Sequence, residues 1–316
     1  MYRGVDAQSL RRRMSLMAAE DEETRCLVIG ADDFGQSGSI NKAVETASQW
    51  GVLTSASITA SGEAFENGVE LARRLPRLSI GLHITLSGGR SILPRSYIPD
   101  LVDGEGFFEK SPAAAGLRYW RFRTRLAGQI EDEVEAQFDR LEKTGIRPTH
   151  VDGHHHLHTH PLLFDIITRQ AAQRGIAWIR IPREPLSLVL KRHFPLLEAK
   201  PLLNWLMFGL LTDRNLHTAH TFGMRTVNNV YGLSATGKIT ESYLLDLLSG
   251  IKAAANEVYV HPDMDTDSGR KEMKALTSAL VRGRINDLGL RLVGFGGLSD
   301  ALREGAAQGT HEIRKI

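Results

Sequence analysis

From Arg25 onward the chain alternates short β-rich apolar runs with longer amphipathic stretches, and few folds accept that alternation. The runs 26–31, 52–59, 79–85, 149–152, 178–181, 226–230, 257–260 and 291–294 have the length and β-branched content of strands. Between them, 41–49, 65–75, 129–144, 162–174, 242–254 and 271–288 place apolar residues at helical spacing. Strands separated by helix-length crossovers pair in parallel, because a parallel ladder needs a long connection. Eight such strands suit an α/β fold, a closed or nearly closed barrel. Two regions break the rhythm, 88–128 and 185–222, and both are expected as long loops over the barrel mouth.

No repeat of fixed period and no low-complexity linker calls for a second domain. The expected organisation is a disordered tail over 1–24, one domain over 25–304 with a hydrophobic insertion near 185–222, and a C-terminal tail over 305–316. Lys and Arg total 39 against 37 for Asp and Glu, a net charge of +2, so no strong field draws the protein to nucleic acid. The single cysteine, Cys26, excludes an intramolecular disulfide and a thiolate metal cage. No uncharged apolar run approaches the roughly 20 residues needed to cross a bilayer, and no signal peptide opens the chain, so the expected location is the cytoplasm. Gly30, Gly35 and Gly38 lack the dinucleotide-binding spacing, and there is neither a Walker loop nor a Gly-x-Ser-x-Gly elbow. Nucleotide cofactors and a covalent serine mechanism are therefore not indicated.

Four segments carry chemistry. Asp32-Asp33-Phe34-Gly35 follows the first strand directly, where barrel folds build their sites, and two adjacent carboxylates allow one to hold a metal while the other accepts a proton. An acidic turn capping the next helix is the plainer account of that pair taken alone. His83 lies inside an apolar strand and shares a face with Gly81 and Thr85; a lone histidine so placed is more often a core residue bonded to backbone. In the run from Pro148 to His160, extended backbone puts His150, Asp152 and His154 on one face, a set that suits a divalent metal. Spacing does not settle which of its histidines ligate. His261, followed by Pro262 at the end of the strand over 257–260, is a candidate acid or base. All four segments deliver Asp or His at strand ends, as one shared site requires.

These motifs resemble the YdjC-like carbohydrate deacetylases, the family that includes chitooligosaccharide deacetylase. The resemblance runs from about Leu27 to about Phe295 and is carried by Ala31-Asp32-Asp33-Phe34-Gly35, Gly81-Leu82-His83, the run from Pro148 to His156, and Tyr259-Val260-His261-Pro262. It implies a distorted (β/α) TIM-like barrel that hydrolyses the N-acetyl group of an amino sugar. It implies one divalent metal ion, Mg2+ or Zn2+, held by Asp33, His83 and His154. The catalytic pair is then Asp32 as base and His261 as acid. Serine is usual in the family where this chain has Gly153, one small residue for another. Tyr231-Gly232-Leu233 and the stretch from Ala235 to Thr240 resemble the hopanoid-biosynthesis branch, which implies an N-acetylglucosaminyl lipid as substrate.

Expected partners are accordingly an N-acetylated amino sugar or glycolipid, a second copy of the chain in a homodimer, and the inner membrane surface, met peripherally through 186–211. That segment is rich in Leu, Phe and Met, with Lys191, Arg192 and Lys200 interspersed, a composition more often found in core or lid helices. The competing readings of the motifs are a metal-dependent phosphoesterase, a cyclic amidohydrolase and a non-catalytic metal-binding scaffold.

Overall fold

A computed structural model describes residues 24–193 and 199–313, so all but the last residue of the expected N-terminal tail lies outside it. Among the described residues the strands are β1 (Cys26–Phe34), β2 (Ser55–Ile58), β3 (Ser79–Ile84), β4 (His150–Gly153), β5 (Trp178–Ile179), β6 (Asn229–Tyr231), β7 (Ala255–Val260) and β8 (Arg291–Leu292). All pair in parallel, in the order β5-β4-β3-β2-β1-β7-β6, with β8 beside the first residues of β1. The sheet curls until its edges approach. Trp178 bridges Arg225, and the Val230 N–H donates to the Arg183 carbonyl at 2.9 Å. The result is an α/β barrel-like domain whose seam, between β5 and β6, is joined by a few backbone bonds instead of a full ladder.

The helices are α1 (Gly38–Trp50), α2 (Phe65–Arg74), α3 (Pro112–Arg121), α4 (Arg123–Glu142), α5 (Pro161–Gln173), α6 (Leu186–His193), α7 (Ala199–Thr221), α8 (Glu241–Leu248), α9 (Asp267–Leu276), α10 (Ala279–Asp287) and α11 (Phe295–Ile313). Ser37, Ser111, Thr240, Thr266 and Ser278 start five of them by accepting a first-turn N–H with the side-chain oxygen. Ser278 also explains why the single helix expected over 271–288 is two: its cap restarts the chain after α9.

Both expected long loops need correction. Only the first part of 88–128 is loop, tied by the antiparallel bridges Arg90–Phe107 and Val102–Phe108; Ser111 and Pro112 then open α3, and α4 follows. The stretch 185–222 is mostly α6 and α7, with 194–198 outside the described residues. The last helix continues to Ile313, past the boundary expected at 304.

Strand parity sorts the residues. On β1, Leu27 and Ile29 join the large core between sheet and helices, with Val44, Phe138 and Ile167. Cys26 and Val28 face the other way and join Trp178, Val230 and Phe295 in a second apolar cluster at the lower end of the barrel, with Tyr259 above them, level with Gly30. The same inward parity continues upward through Gly30 and Asp32 on β1, Ser57 on β2, His83 on β3, Asp152 on β4 and Glu257 on β7. Above an apolar plug, the barrel axis is therefore polar.

Candidate active site at the barrel mouth

A strict period of two would send Asp32 and Asp33 to opposite faces. The ladder between β1 and β2 shifts register between Ala31 and Phe34, and Asp33 adopts a left-handed backbone with φ 62°. That bend turns both carboxylates to the mouth. His155 and His156, at φ 55° and 54°, are left-handed as well. Such backbone costs a non-glycine residue about 1–3 kcal/mol each and concentrates at functional sites.

Asp33 Oδ1 lies 2.9 Å from His154 Nδ1 and 3.4 Å from His83 Nε2. One ligand atom from each of the three residues falls within 4.8 Å of the others. The donor set fits a divalent cation, one carboxylate oxygen and two imidazole nitrogens. His83 is oriented for it from behind. Its Nδ1 meets Asp152 Oδ1 at 2.7 Å and Ser57 Oγ at 3.1 Å, which keeps a proton on Nδ1 and turns Nε2 toward Asp33. Burial disfavours a charged His83, but Asp152, Asp32 and Asp33 outweigh it and lift its pKa to about 9. Burial likewise works against ionised Asp33, yet His154, His83 and His261 hold it below the usual carboxylate range. The carboxylates of Asp152, Asp32 and Asp33 thus favour positive charge at this point, a charge that a bound divalent ion can also supply.

Asp32 sits one layer below. Both of its oxygens are 2.8 Å from Arg180, on Nη1 and Nη2, a bidentate clamp. Arg180 is buried and also holds Glu257 through Nε and Nη2 at 3.0 and 2.8 Å, while its ring neighbour Tyr259 lies 5.0 Å beneath the guanidinium. Nη2 stands 2.8 Å from Asp152 Oδ2 too, but its two hydrogens are committed, so that oxygen is paired by charge without a hydrogen bond. Burial raises Glu257 to about 7 against the pull of Arg180. His261, half-buried, brings Nε2 within 3.9 Å of Asp32 Oδ2, and its backbone N–H donates to Glu272 at 2.6 Å.

The site residues expected from sequence, Asp32, Asp33, His83, His154 and His261, therefore surround one point. Sequence reasoning missed Arg180, Glu257, Ser57 and Glu272. Parity held the signal for the first two: Glu257 on β7 and Arg180 just past β5 are ionisable residues, each two positions from an aromatic on the inward face. Glu272 is one of three buried glutamates that hold the loops after the strands. It accepts the N–H groups of Ile239 and His261; Glu133 accepts those of Ile92 and Leu93, and Glu184 those of Gly232 and Ser234.

The surplus histidines also find places. His150 stacks on Phe295 at 4.2 Å, His155 lies on His154 at 3.9 Å, and His156 meets Tyr259 edge-on at 4.7 Å. His158 places Nε2 2.9 Å from the Arg180 carbonyl, a bond that ties the histidine turn to β5. His158 also fills the space beside Gly153, where an added Cβ would stand 2.9 Å from His158 Cβ and 3.0 Å from the Ile84 carbonyl. The exchange of Gly153 for serine is therefore not neutral here. Gly153→Ser is expected to cost about 1–3 kcal/mol as an overpacking change, read as a lower Tm; an unchanged Tm would show that His158 yields freely.

A family model described as "YdjC-like protein" matches residues 26–287. A protein of Geobacillus stearothermophilus named Carbohydrate deacetylase is 35% identical over 175 residues, 55% of this chain and 65% of that protein. One of Salmonella typhimurium named Chitooligosaccharide deacetylase is 38% identical over 165 residues, 51% of this chain and 60% of that protein. The chain thus spans less than two thirds of these curated relatives. A crystal structure from Enterococcus faecalis V583, whose name assigns it provisionally to cellobiose-phosphate cleavage, has the same fold, with TM-score 0.68 and 24% identity over 87% of this chain and 99% of that one.

Proposed function

The chain belongs to the YdjC-like family, and from that membership and the cluster at the barrel mouth we propose that it is a divalent-metal-dependent hydrolase removing the N-acetyl group of an N-acetylglucosamine-containing substrate. The observation that carries the reading is the convergence of Asp33, His83 and His154 within 4.8 Å, with Asp32 and His261 alongside. The names of the two curated relatives support the sugar N-acetyl group as the bond attacked. The hopanoid-like motif after β6 supports a glycolipid form of that sugar as the preferred substrate.

Amide hydrolysis needs an activated water, stabilisation of a tetrahedral oxyanion and a proton for the departing amine. Asp33, His83 and His154 would hold a divalent ion, Mg2+ or Zn2+, which when bound would supply Lewis acidity for the water and the carbonyl. Asp32 takes the proton of the attacking water, its plane fixed by the Arg180 clamp. His261 gives a proton to the amine nitrogen, its backbone held by Glu272. Asp152 and Ser57 keep His83 in the tautomer that leaves Nε2 free.

The test is mass spectrometry on chitobiose and on an N-acetylglucosaminyl lipid after incubation with metal-loaded protein, beside phosphoester and hydantoin controls. Loss of an acetyl-sized mass from the sugars alone is expected. His154→Ala is expected to lose metal and activity together, and full metal occupancy in that variant contradicts the ligand set. Turnover of the phosphoester or hydantoin without deacetylation overturns the reading.

A further inference from the structure

The mouth is flanked by two helices whose outer faces each group several exposed apolar side chains. On one side Gly116 of α3 lies against Leu157, 3.6 Å from its Cδ1 to the position a Cβ would take, so α3 packs on the 154–159 turn. On the other, Phe208 of α7 meets the His156 ring edge-on at 5.8 Å, so α7 packs on the same turn. The inner face of α3 buries Ala115 and Tyr119. Its outer face exposes Leu117 at 65% and Trp120 at 59%, and the corner leading into α4 exposes Phe122 at 47%. On α7, Leu206, Met207 and Leu210 share one side at helical spacing and are 50%, 49% and 76% exposed.

Charge distinguishes this region further. The stretch 111–128 contains Arg118, Arg121, Arg123 and Arg125 and no acidic residue, in a chain whose charges otherwise nearly balance. Arg118 and Arg125 are engaged with Asp100. Arg121 and Arg123 are exposed, and the Arg121 guanidinium lies over the Phe122 ring at 5.2 Å. On α7 the stretch 205–212 has no ionisable side chain.

We propose that α3, its corner with α4, and the exposed side of α7 form a docking surface for an anionic lipid bilayer, with the barrel mouth between them. Exposed apolar side chains on one rim mark an interaction surface. Trp120 beside Phe122 and Leu117 is the composition that settles at a membrane interface, and Arg121 and Arg123, without a carboxylate partner among the described residues, meet anionic headgroups. An acidic protein partner would satisfy the arginines and leave the uncharged side of α7 uncovered; a bilayer covers both helices at once. The docking surface stands independently of the deacetylase reading, since it uses none of the residues of the metal cluster.

Vesicle co-sedimentation without substrate tests it. The full chain is expected to sediment with vesicles of phosphatidylcholine mixed with phosphatidylglycerol far more than with phosphatidylcholine alone, and less as salt rises. The pair Arg121→Ser and Arg123→Ser should weaken binding to the mixed vesicles by roughly fivefold per arginine. The pairs Trp120→Ser with Phe122→Ser, and Leu206→Ser with Leu210→Ser, should each weaken binding at least about tenfold, with Tm unchanged because these side chains are exposed. The proposal is overturned if the parent ignores both kinds of vesicle, or if all three pairs bind like the parent. Capture of the parent by a soluble acidic polymer with no vesicle binding also overturns it, and would assign the arginines to a soluble partner.

Discussion

With asparagine in place of Asp32, kcat for an N-acetylated sugar is expected to fall by roughly 10²–10⁴-fold, or about 3–5 kcal/mol of transition-state stabilisation, while divalent-metal content stays that of the parent. The separation of the two readouts follows from the geometry. Asp33 Oδ1, not Asp32, faces His83 Nε2 and His154 Nδ1, so the ion's three side chains survive the change. What disappears is the carboxylate that stands 3.9 Å from His261 Nε2. The substitution also touches Arg180: the asparagine side chain keeps one acceptor oxygen and turns an amide donor toward a guanidinium donor. One of the two charge-assisted bonds is lost, worth about 1.5–3 kcal/mol, so turnover must be read well below the variant's Tm. A metal-free variant, or one that turns over like the parent, removes Asp32 from the role of base.

The same geometry shows what strand periodicity reveals and where it stops. All eight runs with strand character are strands, because parallel strands buried on both faces must be apolar almost throughout. The inward set follows from parity, which groups His83 with Gly81, and Asp152 with His150. Parity fails at Asp33, His155 and His156, since a left-handed residue changes which way the next side chain points and no local pattern announces it. The helical stretch 112–128 was hidden for a different reason, while the helix expected over 129–144 is the rest of α4. Gly116 and Gly128 lower helical propensity, and the Gly- and Pro-rich stretch before Ser111 reads as loop; contact with Leu157 favours the small residue at 116 and offsets its cost. Arg180 lay in a run already assigned as a strand, so its charge went unread although it shares the inward face with Trp178.

Arg180 is accordingly where the largest loss of stability is expected. Arg180→Met keeps most of the side-chain length and removes the cation that faces Asp32, Asp152 and Glu257. Breaking a buried ion pair by deleting one partner costs about 3–5 kcal/mol, because the opposite charge stays behind without compensation. In a domain of this size that lowers Tm by on the order of 10 °C. Arg180→Lys separates charge from shape. An ammonium restores one positive charge but cannot bond both oxygens of Asp32 and Glu257 at once, so its Tm should lie between those of parent and Met variant. Its kcat should stay close to that of the Met variant, since it is the two-point clamp that fixes the plane of Asp32. Were the Met variant as stable as the parent, the carboxylates would have to be neutral in the folded protein, and the buried charge network built on Arg180 would not exist.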